Sequence, residues 1–249
     1  MSTDAADFLL IDNSNSFTKV ALSSGKKIGT PRKLRTSEIT PASLKNALVG
    51  WRWQCAVLSS VVPAKGEVIA DFLSPTRVLR VSSKLKLGVG IDYPQPKTIG
   101  ADRLANAAAA FALFGPPIVV VDFGTAVSFD VVSPGGNYVG GVIAPGLEAM
   151  TDYLHQRTAL LPRISLLEPP SAIGKSTKDA MLAGAVHGYR GLVRQILLEI
   201  GKELKITSRL PVVATGGYAD LIAAGLPEIR KVHPELTLEG LRIIGTLNA

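Results

Sequence analysis

The chain has 249 residues, of which 47% are hydrophobic and 19% charged, a composition that supports a sizeable buried core and excludes a disordered protein. Its formal net charge of +7 would suit nucleic acid, but no aromatic residues interleave with the densest basic cluster, which is Lys26, Lys27, Arg32, Lys33 and Arg35. We interpret this cluster as a solvated hairpin and predict no nucleic-acid partner, whereas a positive surface favours anionic substrates.

The first part of the chain predicts a β-hairpin, then further strands and a helix. Its opening apolar run ends in Asp12 and leads into a polar turn, which is typical of a strand-turn-strand unit. The predicted elements are strands at 8–12, 19–22, 54–62 and 76–81, and an alanine-rich helix at 101–114.

The second part of the chain repeats this beginning. Another apolar strand ends in Asp122, and a glycine-containing turn leads back into a second strand. The predicted elements are strands at 118–122, 127–132, 138–143 and 210–215, and helices from 147 to about 155, from 176 to about 204 and from 218 to 224. This internal echo favours two related α/β halves, 1–116 and 117–249, that face each other across a cleft.

The first hairpin, residues 12–19, is suited to binding phosphate. Its small residues let backbone N–H groups approach phosphate oxygens, and its hydroxyls and the Lys19 ammonium add further donors. Asp12, at the end of a strand, is able to hold magnesium through water. The alternative is an ordinary polar hairpin with a capping aspartate.

The second hairpin, residues 122–130, has a similar set of groups. Gly124 permits a tight turn, and Thr125 offers a hydroxyl and an N–H group. The carboxylates of Asp122 and Asp130 are candidate ion ligands at strand ends. The alternative is two turn aspartates that accept hydrogen bonds from backbone N–H groups.

A third candidate motif, 98–103, precedes the alanine-rich helix. Asp102 at the helix N-terminus is either an N-cap or a general base, and Arg103 beside it is able to bind a carboxylate or a transferring phosphate. Glycine pairs at 140–146 and 215–217 suit close backbone packing, including packing against a nucleotide. The segment 173–177 lacks the upstream glycine of a P-loop, which is therefore excluded.

Several other classes of site and location are disfavoured. The lone Cys55 cannot form an internal disulfide, which fits a reducing cytosol, and it is predicted to be buried. The three histidines show no metal-ligand spacing. The N-terminus carries Asp4 and Asp7 without a basic segment, and the uncharged stretch 104–121 predicts a helix, a turn and a strand rather than a membrane span. We predict a cytoplasmic protein.

The motifs DNSNSFTK, TIGADR, DFGTAVSFD, GGVIAPG, IGKST and ATGG occur in one order, which resembles the type III pantothenate kinases. That family belongs to the acetate and sugar kinase, Hsp70 and actin superfamily. The resemblance implies two ribonuclease H-like domains and a homodimer with the pantothenate site at the subunit interface. It further implies ATP-dependent phosphorylation of pantothenate to 4'-phosphopantothenate, the first step of coenzyme A biosynthesis, with Mg²⁺ and a monovalent cation, K⁺ or NH₄⁺.

The resemblance also implies roles for individual residues. The residues that would wrap the ATP phosphates are Asp12, Asn13, Ser14, Asn15, Ser16, Phe17, Thr18 and Lys19, and Thr125 would also contact ATP. Asp122 would bind the monovalent cation. Pantothenate would be bound by Tyr93, Gly100, Ala101, Asp102, Arg103 and Thr177, and Asp102 would accept the proton of its hydroxyl.

Three positions depart from the family pattern. Ser14 stands where the family has glycine, and Ser16 and Ser128 stand where threonine is usual. A Cβ at Ser14 is expected to weaken ATP binding if φ is positive there, which predicts a high KM for ATP. The alternatives are another small-molecule kinase of the same superfamily and a non-catalytic regulatory relative.

Overall fold

The computed structural model describes residues 5–249, and the chain divides into two compact units. Unit 1 contains the chain up to Gly115, together with Gly136–Tyr138 and Glu235–Ala249, and unit 2 contains Pro116–Gly135 and Val139–Pro234. The break after Gly115 lies next to the division predicted at 116/117. The C-terminal segment, however, packs with unit 1. Asp4 lies outside the described residues.

Every predicted strand and helix is present, and residues 5–249 contain three further strands and three further α-helices that were not predicted. The strands are β1 Ala6–Asn13, β2 Phe17–Ser23, β3 Arg32–Arg35, β4 Trp53–Ser60, β5 Arg77–Arg80, β6 Gly90–Ile91, β7 Ile118–Phe123, β8 Ala126–Val132, β9 Asn137–Pro145, β10 Val212–Thr215 and β11 Lys231–Val232. The α-helices are α1 Pro41–Ala47, α2 Pro63–Leu73, α3 Ala101–Phe114, α4 Leu147–Arg157, α5 Thr177–Glu203, α6 Ala219–Ala223 and α7 Leu236–Asn248.

Unit 1 is built on a five-stranded sheet in the order β3-β2-β1-β4-β5. The β1–β2 pair is antiparallel, which confirms the predicted hairpin, and β4 runs parallel to β1. Leu9, Ile11 and Leu58 on one face of the sheet pack with Leu44 of α1 and Ile69 of α2. Residues alternate between the faces of a strand, so Phe8 and Asp12 share the opposite face.

Helices α3 and α7 pack closely in unit 1. A Cβ built on Gly240 of α7 would lie 2.0 Å from the carbonyl oxygen of Ala105 in α3, so only glycine allows this approach. The hydroxyl of Thr237 donates to Asn106 Oδ1 over 2.8 Å. A Cβ on Gly245 of α7 would lie 2.9 Å from the Val57 side chain of β4, so α7 also packs closely on the sheet. This packing fixes α3, whose first residues carry the third motif.

Unit 2 repeats the arrangement around its own hairpin. β7 and β8 are antiparallel, and β10 runs parallel to β7, in the order β11-β10-β7-β8-β9. The core includes Phe123, Phe129 and Tyr189, all less than 3% exposed. In each unit a central strand has aspartate as its second-to-last residue, pairs antiparallel with the next strand and pairs parallel with a later one. The predicted structural repeat between the halves is therefore present in the structure.

Two further sequence expectations concern Cys55 and the apolar stretch 104–121. Cys55 is buried, as predicted, and burial raises the pKa of its thiol. The stretch divides between α3 and β7 as predicted. Among residues 5–249, no helix has the length and apolar character needed to cross a bilayer.

Candidate functional site

A buried hydrogen-bond network stabilises the hairpin of unit 1, residues 12–19. Asn13 Nδ2 donates to Thr18 Oγ1 over 2.8 Å, and the Ser60 hydroxyl donates to Asn13 Oδ1 over 2.8 Å. Thr36 Oγ1 lies 3.0 Å from Thr18 Oγ1 and donates to the carbonyl of Ser14 over 2.7 Å. Asn13 and Thr18 are fully buried, so their side chains hold the turn in place while Asn15 and Ser16 are exposed at its tip.

Ser14 fits the hairpin without backbone strain. Among the described non-glycine residues only Lys205 has a positive φ, so Ser14 does not adopt the conformation that would make its Cβ costly. The Ser14 hydroxyl donates to Asp12 Oδ1 over 3.0 Å, and Asp12 is only 7% exposed. The condition under which Ser14 was expected to raise the KM for ATP is therefore not met.

Lys19 is held by an acidic residue from the far end of the chain. Its ammonium donates to Glu235 Oε2 over 3.2 Å, and both side chains are about one-third exposed. Glu235 immediately precedes α7. No local sequence pattern predicts this pair, because the partners lie at opposite ends of the chain.

Two glycine motifs, 140–146 and 215–217, pack against the hairpin of unit 2. A Cβ on Gly146 would lie 2.3 Å from the carbonyl oxygen of Thr125 and 2.7 Å from that of Gly124. Gly216 has φ +93°, and a Cβ there would lie 2.6 Å from Asp122 Oδ1. Motifs that were weak evidence separately thus form one packed site around Asp122.

Asp122 and Asp130 occupy different environments. Asp122 is partly exposed near the end of β7, opposite Ser128 of β8 and Thr215 of β10. Asp130 is fully buried in the interior of β8, opposite Val120. The expectation that both carboxylates lie at strand ends is wrong for Asp130, so Asp122 is the candidate ion ligand in this hairpin.

Asp102 lies in the first turn of α3, one residue past its first position. The N-cap is Gly100, so the alternative in which Asp102 caps the helix is wrong. Asp102 Oδ1 accepts a hydrogen bond from the N–H of Arg103 over 2.8 Å, and a Cβ on Gly100 would lie 2.6 Å from that oxygen. Burial raises the pKa of the Asp102 carboxyl, and the N–H and charge of Arg103 oppose this increase.

Arg103 and Tyr93 meet at Tyr138, a residue that the sequence analysis assigned only to a strand. The Arg103 guanidinium lies 5.7 Å from the ring centroid of Tyr138, within cation–π range. The Tyr93 and Tyr138 rings form an edge-to-face pair with centroids 6.2 Å apart. The N–H of Asp92 donates to the Tyr138 carbonyl over 2.9 Å, so the short pairing of β6 places Tyr93 beside this ring.

The remaining predicted substrate residue, Thr177, is in unit 2. It is the exposed first residue of α5, next to the N-cap Ser176, whose hydroxyl accepts from the N–H of Asp179 over 3.1 Å. A Cβ on Gly174 would lie 2.1 Å from the backbone nitrogen of Ala180. This segment therefore packs tightly against the start of α5.

Comparison with known proteins decides the family. A sequence model of the type III pantothenate kinase family matches residues 8–199. The chain belongs to the type III pantothenate kinase family. It is 52% identical over 243 residues to a type III pantothenate kinase from Akkermansia muciniphila, covering 97% of this chain and 99% of that protein. A second such kinase, from Methylacidiphilum infernorum, is 41% identical over 240 residues, covering 96% and 88%.

The family match confirms the predicted enzyme class, a pantothenate kinase of coenzyme A biosynthesis that uses ATP. Solved structures confirm the predicted fold. A Baf family transcriptional activator from Campylobacter jejuni has a TM-score of 0.61 at 18% identity, covering 95% of this chain and 96% of that one. Component A of (R)-2-hydroxyglutaryl-CoA dehydratase from Acidaminococcus fermentans has a TM-score of 0.53 at 13% identity, covering 97% of each. The kinase thus shares its overall fold with these two proteins.

Proposed function

We propose that this kinase transfers the γ-phosphoryl group of ATP to the primary hydroxyl of pantothenate with Asp102 as general base. The product is 4'-phosphopantothenate. One observation carries this assignment: the Asp102 carboxylate lies at the start of α3 beside Arg103, and burial raises its pKa. A carboxylate near an alcohol, with cationic groups beside it, is what phosphoryl transfer requires.

Asp102 acts on the proton of the hydroxyl group. As the substrate oxygen bonds to phosphorus and the bond from phosphorus to the ADP oxygen breaks, one Asp102 oxygen accepts the proton. A base with a raised pKa is a better proton acceptor than an ordinary aspartate. The hydrogen bond from the Arg103 N–H holds the carboxylate in one orientation.

The residues that the family resemblance assigns to pantothenate are proposed to bind it. The Arg103 guanidinium pairs with the pantothenate carboxylate, since its planar fork matches that group. Tyr93, Gly100 and Ala101 line the pantothenate site, and Thr177 contributes a hydroxyl in this proposal. The Tyr138 ring supports Arg103 and Tyr93.

ATP binds to the two hairpins. In unit 1 the exposed tip offers backbone N–H groups to the phosphates, and the bracing by Asn13 and Thr18 makes these donors preorganised. Asp12 suits Mg²⁺ held through water, because its carboxylate is oriented by Ser14 and lies at a strand end. Thr125, exposed in the unit 2 hairpin, contacts ATP.

Asp122 suits a monovalent cation, K⁺ or NH₄⁺. It is a single, partly exposed carboxylate, and the residues described include no group of three or more acidic, histidine or cysteine side chains that could hold a metal. One carboxylate with neutral oxygens fits a singly charged ion better than a divalent one. The bound ion would neutralise negative charge next to Thr125.

The protein is proposed to be a homodimer in the cytoplasm. Large apolar side chains are exposed on α4 and on the irregular segment that follows it, in the same unit as Thr177. These residues are Met150, Tyr153, Leu154, Leu160, Leu167 and Ile173. Exposed apolar surface of this kind favours burial against a second copy of the chain.

A coupled kinase assay tests the function. With pantothenate, ATP and Mg²⁺, we expect turnover in K⁺ or NH₄⁺ and much less in Na⁺. A panel of sugars and acetate tests the other superfamily kinases. ATP binding without turnover of any of these substrates would contradict the proposal and favour the non-catalytic relative.

A further inference from the structure

The basic cluster at 26–35 divides in the structure into two groups with different surroundings. Lys26 and Lys27 lie in the exposed turn after β2. Lys33 and Arg35 lie on β3, beside the beginning of β2, where the phosphate hairpin ends. Since β2 spans seven residues, its two ends are about 20 Å apart.

Lys33 and Arg35 share a sheet face with the residues that the hairpin presents. Arg35 pairs with Phe17, and Lys33 pairs directly with Lys19. Lys19 in turn pairs with Asp12. Directly paired residues of antiparallel strands project on the same side, so this face carries the carboxylate of Asp12 and then a row of cationic groups.

The ring of Phe17 holds these two cations. Lys33 Nζ lies 3.8 Å and Arg35 Cζ 6.0 Å from the ring centroid, both within cation–π range. The residue after Arg35 is tied to the tip of the hairpin, since the N–H of Thr36 donates to the Ser16 carbonyl over 3.1 Å. β3 therefore keeps its cations next to the exposed tip.

The charge balance of this face leaves an excess of positive charge. Lys19 is compensated by Glu235, whereas the nearest carboxylate oxygen to Arg35, on Glu38, is 3.9 Å away in a highly exposed pair that contributes little. Like charges directly opposite each other, as for Lys19 and Lys33, destabilise a sheet. A polyanion bound at the tip would offset this repulsion.

We propose that Lys33 and Arg35 bind the polyphosphate of ATP and extend the phosphate site from the hairpin onto β3. This inference rests on the proposed function, because it takes the hairpin of unit 1 as the phosphate site. Charged residues on an edge strand also protect it from pairing with other chains. That protective role requires only charge on the edge and predicts no dependence of ATP affinity on these two residues.

The test compares two double variants that each remove two of the seven net positive charges. Lys33→Gln/Arg35→Gln removes the proposed phosphate contacts, and Lys26→Gln/Lys27→Gln is the matched control at the other end of β2. We expect the first variant to raise the KM for ATP about tenfold and the KM for pantothenate less than about twofold. The control should match wild type in both constants.

Direct measurement separates this inference from the proposed function. ATP binding without pantothenate, measured by calorimetry, should weaken about tenfold in the Lys33/Arg35 variant, and its affinity should depend less on salt than that of wild type. Unchanged ATP affinity, or an equal loss in the control variant, overturns the inference. If wild type binds ATP but does not phosphorylate pantothenate, the proposed function fails while the binding comparison still decides the role of Lys33 and Arg35.

Discussion

The hydroxyl of Ser14 donates a hydrogen bond to the carboxylate of Asp12, with 3.0 Å between the two oxygens. The family pattern has glycine at this position, but the φ of Ser14 is not positive, so its Cβ causes no backbone strain. The hydroxyl instead orients the carboxylate proposed to hold Mg²⁺. Serine at position 14 is thus compatible with ATP binding.

We therefore expect Ser14→Gly not to lower the KM for ATP. The variant loses the hydrogen bond to Asp12 and adds freedom to the unfolded chain, which should reduce the free energy of unfolding by about 0.5–1 kcal/mol. Steady-state kinetics and urea unfolding measure both effects. A several-fold lower KM for ATP in Ser14→Gly would show that the serine side chain obstructs the phosphates after all.

Asp102→Asn should abolish most turnover without destabilising the protein. Burial favours the protonated form of Asp102, so its stabilising contribution is fully present below the unfolded pKa of about 3.9 and is lost as pH rises through the raised folded pKa. Above the folded pKa the ionised, buried carboxylate destabilises the folded protein, and asparagine removes this cost. We expect kcat to fall at least about 100-fold and the unfolding midpoint to stay equal or rise.

The matched control is Asp220→Asn, because Asp220 occupies the same position in the first turn of α6 and is exposed. It should retain wild-type kcat. The wild-type rate should also fall on the acid side as Asp102 becomes protonated, with a midpoint above that of an ordinary aspartate. Full activity of Asp102→Asn, or an acid limb that persists in that variant, would remove Asp102 as the base.

Features of the fold were predictable from the sequence where neighbouring residues determine them, and not where they depend on contacts between distant segments. The helix at 101–114 and the two hairpins, whose first strands contain Asp12 and Asp122, were predicted almost to the residue. Their signals are apolar runs, glycines and turn residues, which determine structure over a few neighbouring positions. The ion pair of Lys19 with Glu235 and the packing of Tyr138 on Arg103 were not predictable in this way. Both depend on pairings between segments far apart in the chain, which a single sequence does not encode locally.

Tyr138 is expected to position Arg103 for pantothenate. Replacing it with phenylalanine keeps the ring beside the guanidinium, whereas Tyr138→Leu removes a cation–π contact of about 0.5–2 kcal/mol. We expect Tyr138→Leu to raise the KM for pantothenate about 2–30-fold and Tyr138→Phe to stay near wild type. The KM for ATP serves as the internal control, and an equal rise in both constants would indicate a general loss of structure.

Arg190 of α5 anchors the irregular segment that precedes Thr177. Its guanidinium donates to both oxygens of Glu168 over 2.8 and 2.6 Å and also to the carbonyls of Leu221 and Ile222. The Arg190 side chain is 8% exposed and that of Glu168 is 56% exposed. Glu168→Gln leaves a buried cation poorly compensated, so we expect a loss of about 1–2 kcal/mol in unfolding free energy.

This loss should depend on pH in a defined direction. Arg190 lowers the pKa of Glu168, so its stabilising contribution is present above the unfolded pKa of about 4.3 and is lost as pH falls through the folded value. Asp152→Asn, which breaks the more exposed pair with Arg163, is the control and should reduce the free energy of unfolding less than Glu168→Gln does. Equal effects of the two variants at neutral pH would contradict the anchoring role of Arg190.

Gly216 and Gly217 provide an adjacent pair for testing the packed site around Asp122. Gly216 has φ +93°, and a Cβ there would lie 2.6 Å from Asp122 Oδ1 and from the backbone of Phe123, whereas a Cβ on Gly217 meets nothing within 4 Å. Gly216→Ala should therefore destabilise the protein by about 1–3 kcal/mol and displace the carboxylate proposed to bind K⁺. Gly217→Ala should do neither. Thermal unfolding measures the first effect, and the K⁺ concentration giving half-maximal activity measures the second. If Gly216→Ala is destabilised but its K⁺ response is unchanged, Asp122 is not the cation ligand, because the carboxylate cannot keep its place beside that new methyl group.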